Sequence, residues 1–187
     1  MKRGNMEASS AFVKAAREMA DALEEAHVAE LLQALAGAQT DDAKQFRDAV
    51  AVLKADVDMV RGIGDELESL VKDLRSTDAL ELMLAMQRAS ALSATIKTRL
   101  GKVPGLIKEW PQHLDAIAKT AGRLAAEPAL QAKANLLTSI NMISTEVTGD
   151  LQASAKALSD LLPELNNAIT YIADEQLPRH GANAISA

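Results

Sequence analysis

The sequence predicts an all-α protein, an elongated up-and-down antiparallel bundle of four to five helices with coiled-coil-like seams. Three observations predict it. Apolar residues recur at alternating steps of three and four over long stretches, which keeps one face of a helix against a partner for many turns. Hydrophobic residues make up 48% of the chain but aromatic residues only 2%, and Ala and Leu lead the composition, as in long packed helices. The turn signals between these stretches are short, so helices adjacent in sequence are expected to pack antiparallel. No stretch alternates with period two, and no repeat of 20–50 residues is present.

Residues 1–8 are expected to form a flexible tail, followed by a single helical bundle domain over 9–178 and a flexible tail over 179–187. The first helical stripe comprises Phe12, Ala16, Met19, Leu23, Ala26, Leu31 and Leu35. Gly37 is the expected stop, because glycine takes the left-handed conformation that closes a helix. Thr40 is a cap candidate, with Asp41 and Asp42 placing negative charge on the first turn, where the helix dipole favours it. The second stripe is the most regular: Phe46, Val50, Leu53, Val57, Val60, Gly64, Leu67, Val71 and Leu74. Glu68 and Lys72 stand four residues apart on its outside.

Ser76-Thr77-Asp78 interrupts the pattern, and Asp78 with Glu81 has capping-box spacing. A third helix is expected to end near Leu100, stopped by Gly101 and Pro104. Gly105 to Trp110 reads as a connector. Pro111 then suits the first turn of a fourth helix with an inner face of Leu114, Ile117, Ala118, Ala121 and Leu124. The last segment, Ala129 to Leu177, can run as one helix. Its seam is Ile140, Ile143, Val147, Leu151, Ala155, Leu158, Leu162, Leu165, Ile169 and Ile172.

Four positions in these seams are hinge or kink candidates. Gly62 and Gly64 each weaken a helix by roughly 1 kcal/mol relative to alanine, and they permit close approach or bending. Gly149 is a further weak point. Pro163 removes a backbone donor inside the final seam and crowds the preceding turn, so a kink near Ser159 or a restart capped by Ser159 or Asp160 is expected.

The chemistry-bearing residues are few. The chain has no cysteine, which excludes disulfides, thiolate catalysis and cysteine-based zinc sites. His27, His113 and His180 share no motif. Glu24 and His27 have the Glu-x-x-His spacing of carboxylate-bridged metal bundles, but such sites require a second pair from another helix, which the sequence lacks. Gly62-Ile63-Gly64 lies inside a helical stripe with no strand before it, so it does not read as a phosphate loop. No catalytic, cofactor-binding or metal-ligating set is expected, and the chain reads as not an enzyme.

The net charge is −6, unevenly distributed: residues 1–87 and 134–187 are acidic, while 88–133 are basic. A basic middle is expected to pack against an acidic arm. Arg88, Lys97, Arg99, Lys102, Lys108, Lys119 and Arg123 lack the interleaved aromatics of a nucleic-acid surface apart from Trp110, so nucleic acid is not an expected partner. These cations are not set opposite bulky apolar residues, so binding at a membrane surface is not expected either. No apolar run approaches the ~20 residues of a membrane span. No apolar core follows the positive start, so a cytoplasmic location, or export without a cleavable signal, is expected.

The run Leu80 to Met86 is apolar almost all round a helix, more than one face can bury. Leu80, Leu82, Met83 and Met86 are therefore the candidate partner-binding residues, the methionines being adaptable in shape. The function expected is that of a non-enzymatic helical scaffold or interaction protein. It would act through protein–protein contacts or self-association, within an oligomer or larger assembly. The alternatives are a four-helix-bundle small-molecule sensor domain and an amphipathic coat protein of a lipid or polymer granule.

Overall fold

The computed structural model describes residues 3–73 and 79–171, with side chains from Glu7 to Lys72, at Glu81 and Leu84, and from Met86 to Thr170. The chain is all-α, with no strand among the described residues. Its elements are α1 (Arg3–Glu25), α2 (Val28–Ala34), α3 (Asp41–Asp73), α4 (Ala79–Leu100), α5 (Val103–Ala125), α6 (Pro128–Gln131), α7 (Ala134–Met142), a π-helical turn (Ile143–Val147) and α8 (Thr148–Tyr171). Helix α1 reaches back to Arg3, into the stretch expected as a tail.

These pieces assemble into four rods. The first is α1 with α2, which runs antiparallel to α3. Arg17 pairs with Glu68 and Asp65 near one end of the contact, Arg61 with Glu24 at 3.2 Å further along, and Arg47 donates to the Ala36 carbonyl at 3.3 Å near the other. The second rod is α3, 33 residues and about 50 Å long at the helical rise. The third is α4 followed by α5, also antiparallel to α3. Arg99 meets Glu66 at 2.6 Å, the Trp110 indole donates to Asp56 at 3.0 Å, and Arg123 meets Asp42 at 3.1 Å. The fourth rod, α7 through α8, packs on both the first and the third. Among the described residues, α3 and α8 do not touch, nor does α1 touch α4 or α5. The section is thus square, with the first and third rods on one diagonal.

This corrects one expectation: α4 and α5 adjoin in sequence but do not fold back on one another. Gly101 and Lys102 form a single turn between them, held by the Gly101 amide on the Lys97 carbonyl and the Lys102 amide on the Arg99 carbonyl. Pro104 does not stop a helix; it sits in the donor-free first turn of α5, where a missing N–H costs nothing. The expected connector Gly105 to Trp110 is helical, and Pro111 falls in the interior of α5. Trp110 explains why the helix continues. It is 1% exposed and the largest enclosed side chain, and its burial outweighs the local cost of the proline.

Gly37 does not adopt a left-handed conformation. Among the described residues, the one with positive φ is His27 (φ 51°, ψ 42°), which breaks the first rod between α1 and α2. The Leu31 amide still bonds the His27 carbonyl at 3.0 Å, so α2 restarts at once along the same neighbour. Thr40 does cap α3, its Oγ1 accepting from the Ala43 amide at 3.4 Å.

The final segment is not one helix from Ala129. The chain turns at Ala132 and Lys133, and is then helical without a break from Ala134 to Tyr171, through both Gly149 and Pro163. Its irregularity lies at Ile143–Val147, where the backbone widens into a π turn. Hydroxyls compete for carbonyls there: Ser144 and Thr145 both donate to the Asn141 carbonyl, at 3.1 and 2.7 Å, and Thr148 donates to Ser144 at 2.9 Å. Such back-bonding loosens the i to i−4 ladder.

The core follows the predicted seams closely. All seven positions of the first stripe are buried, as are Phe46 through Leu67 of the second and most of the last, Ala155 being half-buried. On α5, Ala118 is exposed and Thr120 takes the inward place. The Thr120 hydroxyl satisfies itself on the Ala116 carbonyl at 2.7 Å. Leu74, Ser76 to Asp78 and Ile172 lie outside the described residues.

Candidate functional site

Helix α4 changes character along its length. From Ala89 onward it buries Ala89, Ser93, Ile96 and Leu100 at steps of four, three and four, an ordinary core face. Before Ala89 the apolar run continues past what the bundle encloses. Leu84 is 46% exposed and Met86 half-buried. Val52, 40% exposed on α3, is the other large apolar residue left in solvent among the described ones. The side chains of Leu80, Leu82 and Met83 lie outside the described residues.

The histidine candidates do not assemble into a centre. The left-handed turn at His27 sets its ring on the surface, Nδ1 4.0 Å from Glu30, both side chains 69% exposed. Glu24 points instead to Arg61 on α3. His113 is half-buried on α5, in the rod diagonal to the one that carries His27. His180 lies outside the described residues. No group of three or more His, Asp or Glu side chains suited to a metal ion occurs among the described residues.

The break at His27 leaves a groove on each side of α2. One, of about 380 Å³, is lined by His27, Glu30 and the α7 residues Asn135, Leu136, Thr138, Ser139 and Met142. The other, of about 220 Å³, runs from Ala20 and Leu23 to Lys54 and Asp58. In the larger groove the hydroxyls are already used. Thr138 donates to the Ala134 carbonyl at 3.0 Å and Ser139 to the Asn135 carbonyl at 3.1 Å, so its other polar side chains are the His27–Glu30 pair and Asn135.

The seam glycines separate by environment. A side-chain carbon on Gly64 would meet the Val13 Cα at 3.5 Å and the Ala16 Cβ at 3.6 Å, so α1 and α3 approach closely here. Gly62 faces only the guanidinium tip of Arg99, and Gly149 faces open space. Helix α3 runs unbroken through the first two.

Polar contacts between rods are what sequence reading missed. The expected Glu68–Lys72 pair does not form; Glu68 bridges to Arg17 on α1. That carboxylate, by hydrogen bond and by charge, holds the Arg17 guanidinium above its ordinary pKa. Glu66 is bound by Arg99 through one oxygen, and its other oxygen is enclosed without a hydrogen bond. Partners 33 to 54 residues apart, as in Glu66–Arg99 and Asp56–Trp110, leave no local spacing to find. Their trace in the sequence is the charge asymmetry alone, a basic third rod beside an acidic α3.

Among the described residues no helix is long and apolar enough to cross a membrane. No family model, curated protein or solved structure matches the chain.

Proposed function

We propose that the chain is a non-catalytic helical scaffold that acts through protein–protein contacts, with the first turns of α4 as a contact surface. The observation that carries this reading is Leu84. Of the large apolar side chains described, only Leu84 and Val52 are exposed, and Leu84 is the more so at 46%, inside the run Leu80 to Met86. An apolar residue on a rigid helix is a ready anchor for a partner, because burying it costs little conformational freedom. Cross-rod ion pairs and a continuous core hold the helix in place, so the surface is presented with little rearrangement.

A photo-reactive residue introduced at position 84, with the same residue at the exposed Gln152 of α8 as control, tests the reading in native extract. Covalent adducts at 84 and none at 152 are expected, and Leu84→Glu in a second labelled chain should fail to compete for them. Equal labelling at both positions, or none at 84, would contradict the proposal.

A further inference from the structure

The four rods do not share charge equally. On the first rod, among the described side chains, the exposed anions Glu7, Glu18, Asp21, Glu24, Glu25 and Glu30 face only the exposed cations Lys14 and Arg17. On the third rod the balance reverses. Arg88, Lys97, Lys102, Lys108, Lys119 and Arg123 are exposed against Glu81, Glu109 and Asp115.

The arrangement within each rod sharpens this. Glu7, Ala11, Lys14, Glu18, Asp21 and Glu25 follow at alternating steps of four and three, so they form one stripe along α1. The buried residues Phe12, Ala16, Met19 and Leu23 occupy the opposite side. The stripe therefore points straight out of the bundle. On α5, Lys108, Gln112, Asp115, Lys119 and Arg123 form a corresponding outer stripe, away from Trp110, Leu114, Ile117 and Ala121. Lys14–Glu18 at 3.7 Å and Lys119–Asp115 at 2.6 Å neutralise part of each stripe, and Arg123 reaches Asp42. Glu7, Asp21, Glu25, Lys102 and Lys108 have no ion-pair partner among the described residues.

The first and third rods lie on a diagonal of the bundle, so the acidic ridge and the basic ridge face opposite ways. Their lengths also match, about 27 Å from Glu7 to Glu25 and about 22 Å from Lys108 to Arg123 at the helical rise. Both rods run antiparallel to α3 and hence in the same direction. The acidic ridge lies along the C-terminal half of α3, where Arg17 meets Glu68 and Glu24 meets Arg61, and the basic ridge along its N-terminal half, where Trp110 meets Asp56 and Arg123 meets Asp42. A second molecule displaced sideways without rotation and shifted along the axis by about 25 Å, roughly 17 residues of helical rise, therefore brings its acidic ridge onto the basic ridge of the first.

We infer that the occupant of the basic α5 ridge is the acidic α1 ridge of a second copy of this chain. The contact is heterologous: each copy keeps one free ridge of either sign, so the assembly grows side by side rather than closing as a dimer. Exposed ion pairs are individually weak and screened by salt, so the association is reversible and strongest at low ionic strength. The inference rests on the reading of the chain as a scaffold within an assembly, but it uses a surface distinct from that at Leu84.

Sedimentation of the full chain across a concentration series tests it, at about 20 mM and about 300 mM salt, where screening lengths differ more than threefold. The weight-average mass is expected to double or more with concentration at low salt and to stay at one chain at high salt. Asp21→Lys/Glu25→Lys and Lys108→Glu/Lys119→Glu alter exposed positions, and unchanged circular dichroism confirms their fold. Each variant alone should stay at the mass of one chain in low salt, and an equimolar mixture should associate again. Glu146→Lys/Asp150→Lys, on another acidic face, should associate as the wild type does. A wild type that stays single at low salt, a mixture that does not re-associate, or loss of association in the Glu146/Asp150 variant would each overturn the inference. Leu84→Glu should leave this salt-dependent mass unchanged, so failure at the ridges and failure at the α4 surface read out separately.

Discussion

Trp110 is almost wholly enclosed between α5 and α3, and its indole N–H is satisfied by Asp56 at 3.0 Å. Asp56→Ala strands that buried donor and should cost about 1–3 kcal/mol, while Asp56→Asn keeps an acceptor and should cost less. Urea unfolding read by fluorescence measures both, since Trp110 is the only tryptophan. Gly64 makes the opposite case. A methyl group there meets α1 at ordinary contact distance, so Gly64→Ala should stabilise by about 0.5–1 kcal/mol through helix propensity. Gly64→Leu adds three further carbons against Val13 and Ala16 and should destabilise by about 1–3 kcal/mol. Equal effects of the two substitutions in urea unfolding would show that α1 and α3 are not in close contact at this point. Gly64 was legible as a seam position from its spacing. Asp56 was not, because nothing near it in sequence marks it as the partner of a ring 54 residues away.

At the scale of elements, the seams were legible and the breaks only in part: the end of the first rod in the turn at Gly37, the Thr40 cap and the end of α4 at Leu100 read correctly. Spacing of three and four depends only on helical geometry, so Phe12 to Leu35 and Phe46 to Leu67 read correctly as buried stripes. A break is a balance between local preference and packing, and packing is invisible in sequence. Glycine and proline carry the local preference, yet the first rod has a further break at His27 before its end at Gly37, and the last widens at Ile143–Val147 rather than at Gly149. Helix α5 runs through Pro111 because Trp110, Leu114 and Ile117 are all enclosed there. Helix α8 runs through Pro163 in the same way, between buried Leu162 and Leu165. Pro163 is exposed and leaves the Ser159 carbonyl without its helical donor. Pro163→Ala restores that bond and should raise stability by up to about 3 kcal/mol. A shift of the urea midpoint to higher concentration at constant slope checks it; an unchanged midpoint would mean that the proline is fully accommodated.

For the whole molecule, the rule that neighbours in sequence pack antiparallel held at the three junctions between rods and failed at one, between α4 and α5. Between α4 and α5 the single turn at Gly101–Lys102 redirects the chain without reversing it, and this converts a would-be hairpin into one long rod. The consequence reaches function. Because α4 continues α5, the basic surface of the third rod is long and lies diagonal to the acidic first rod. The same continuity carries Leu84 away from the end of α5 at which Arg123 meets Asp42. The chain has no cysteine, so paired cysteines report this geometry directly through a short bifunctional cross-linker. Glu66→Cys/Arg99→Cys tests the third rod against α3 at the α4–α5 junction. Thr40→Cys/Glu127→Cys, at a hydroxyl–carboxylate contact of 2.8 Å, tests it just past the far end of α5. If α4 and α5 form one rod along α3, both pairs link within a single chain under dilute conditions. If α4 and α5 fold back on each other, only one pair links within the chain, and the four-rod account fails.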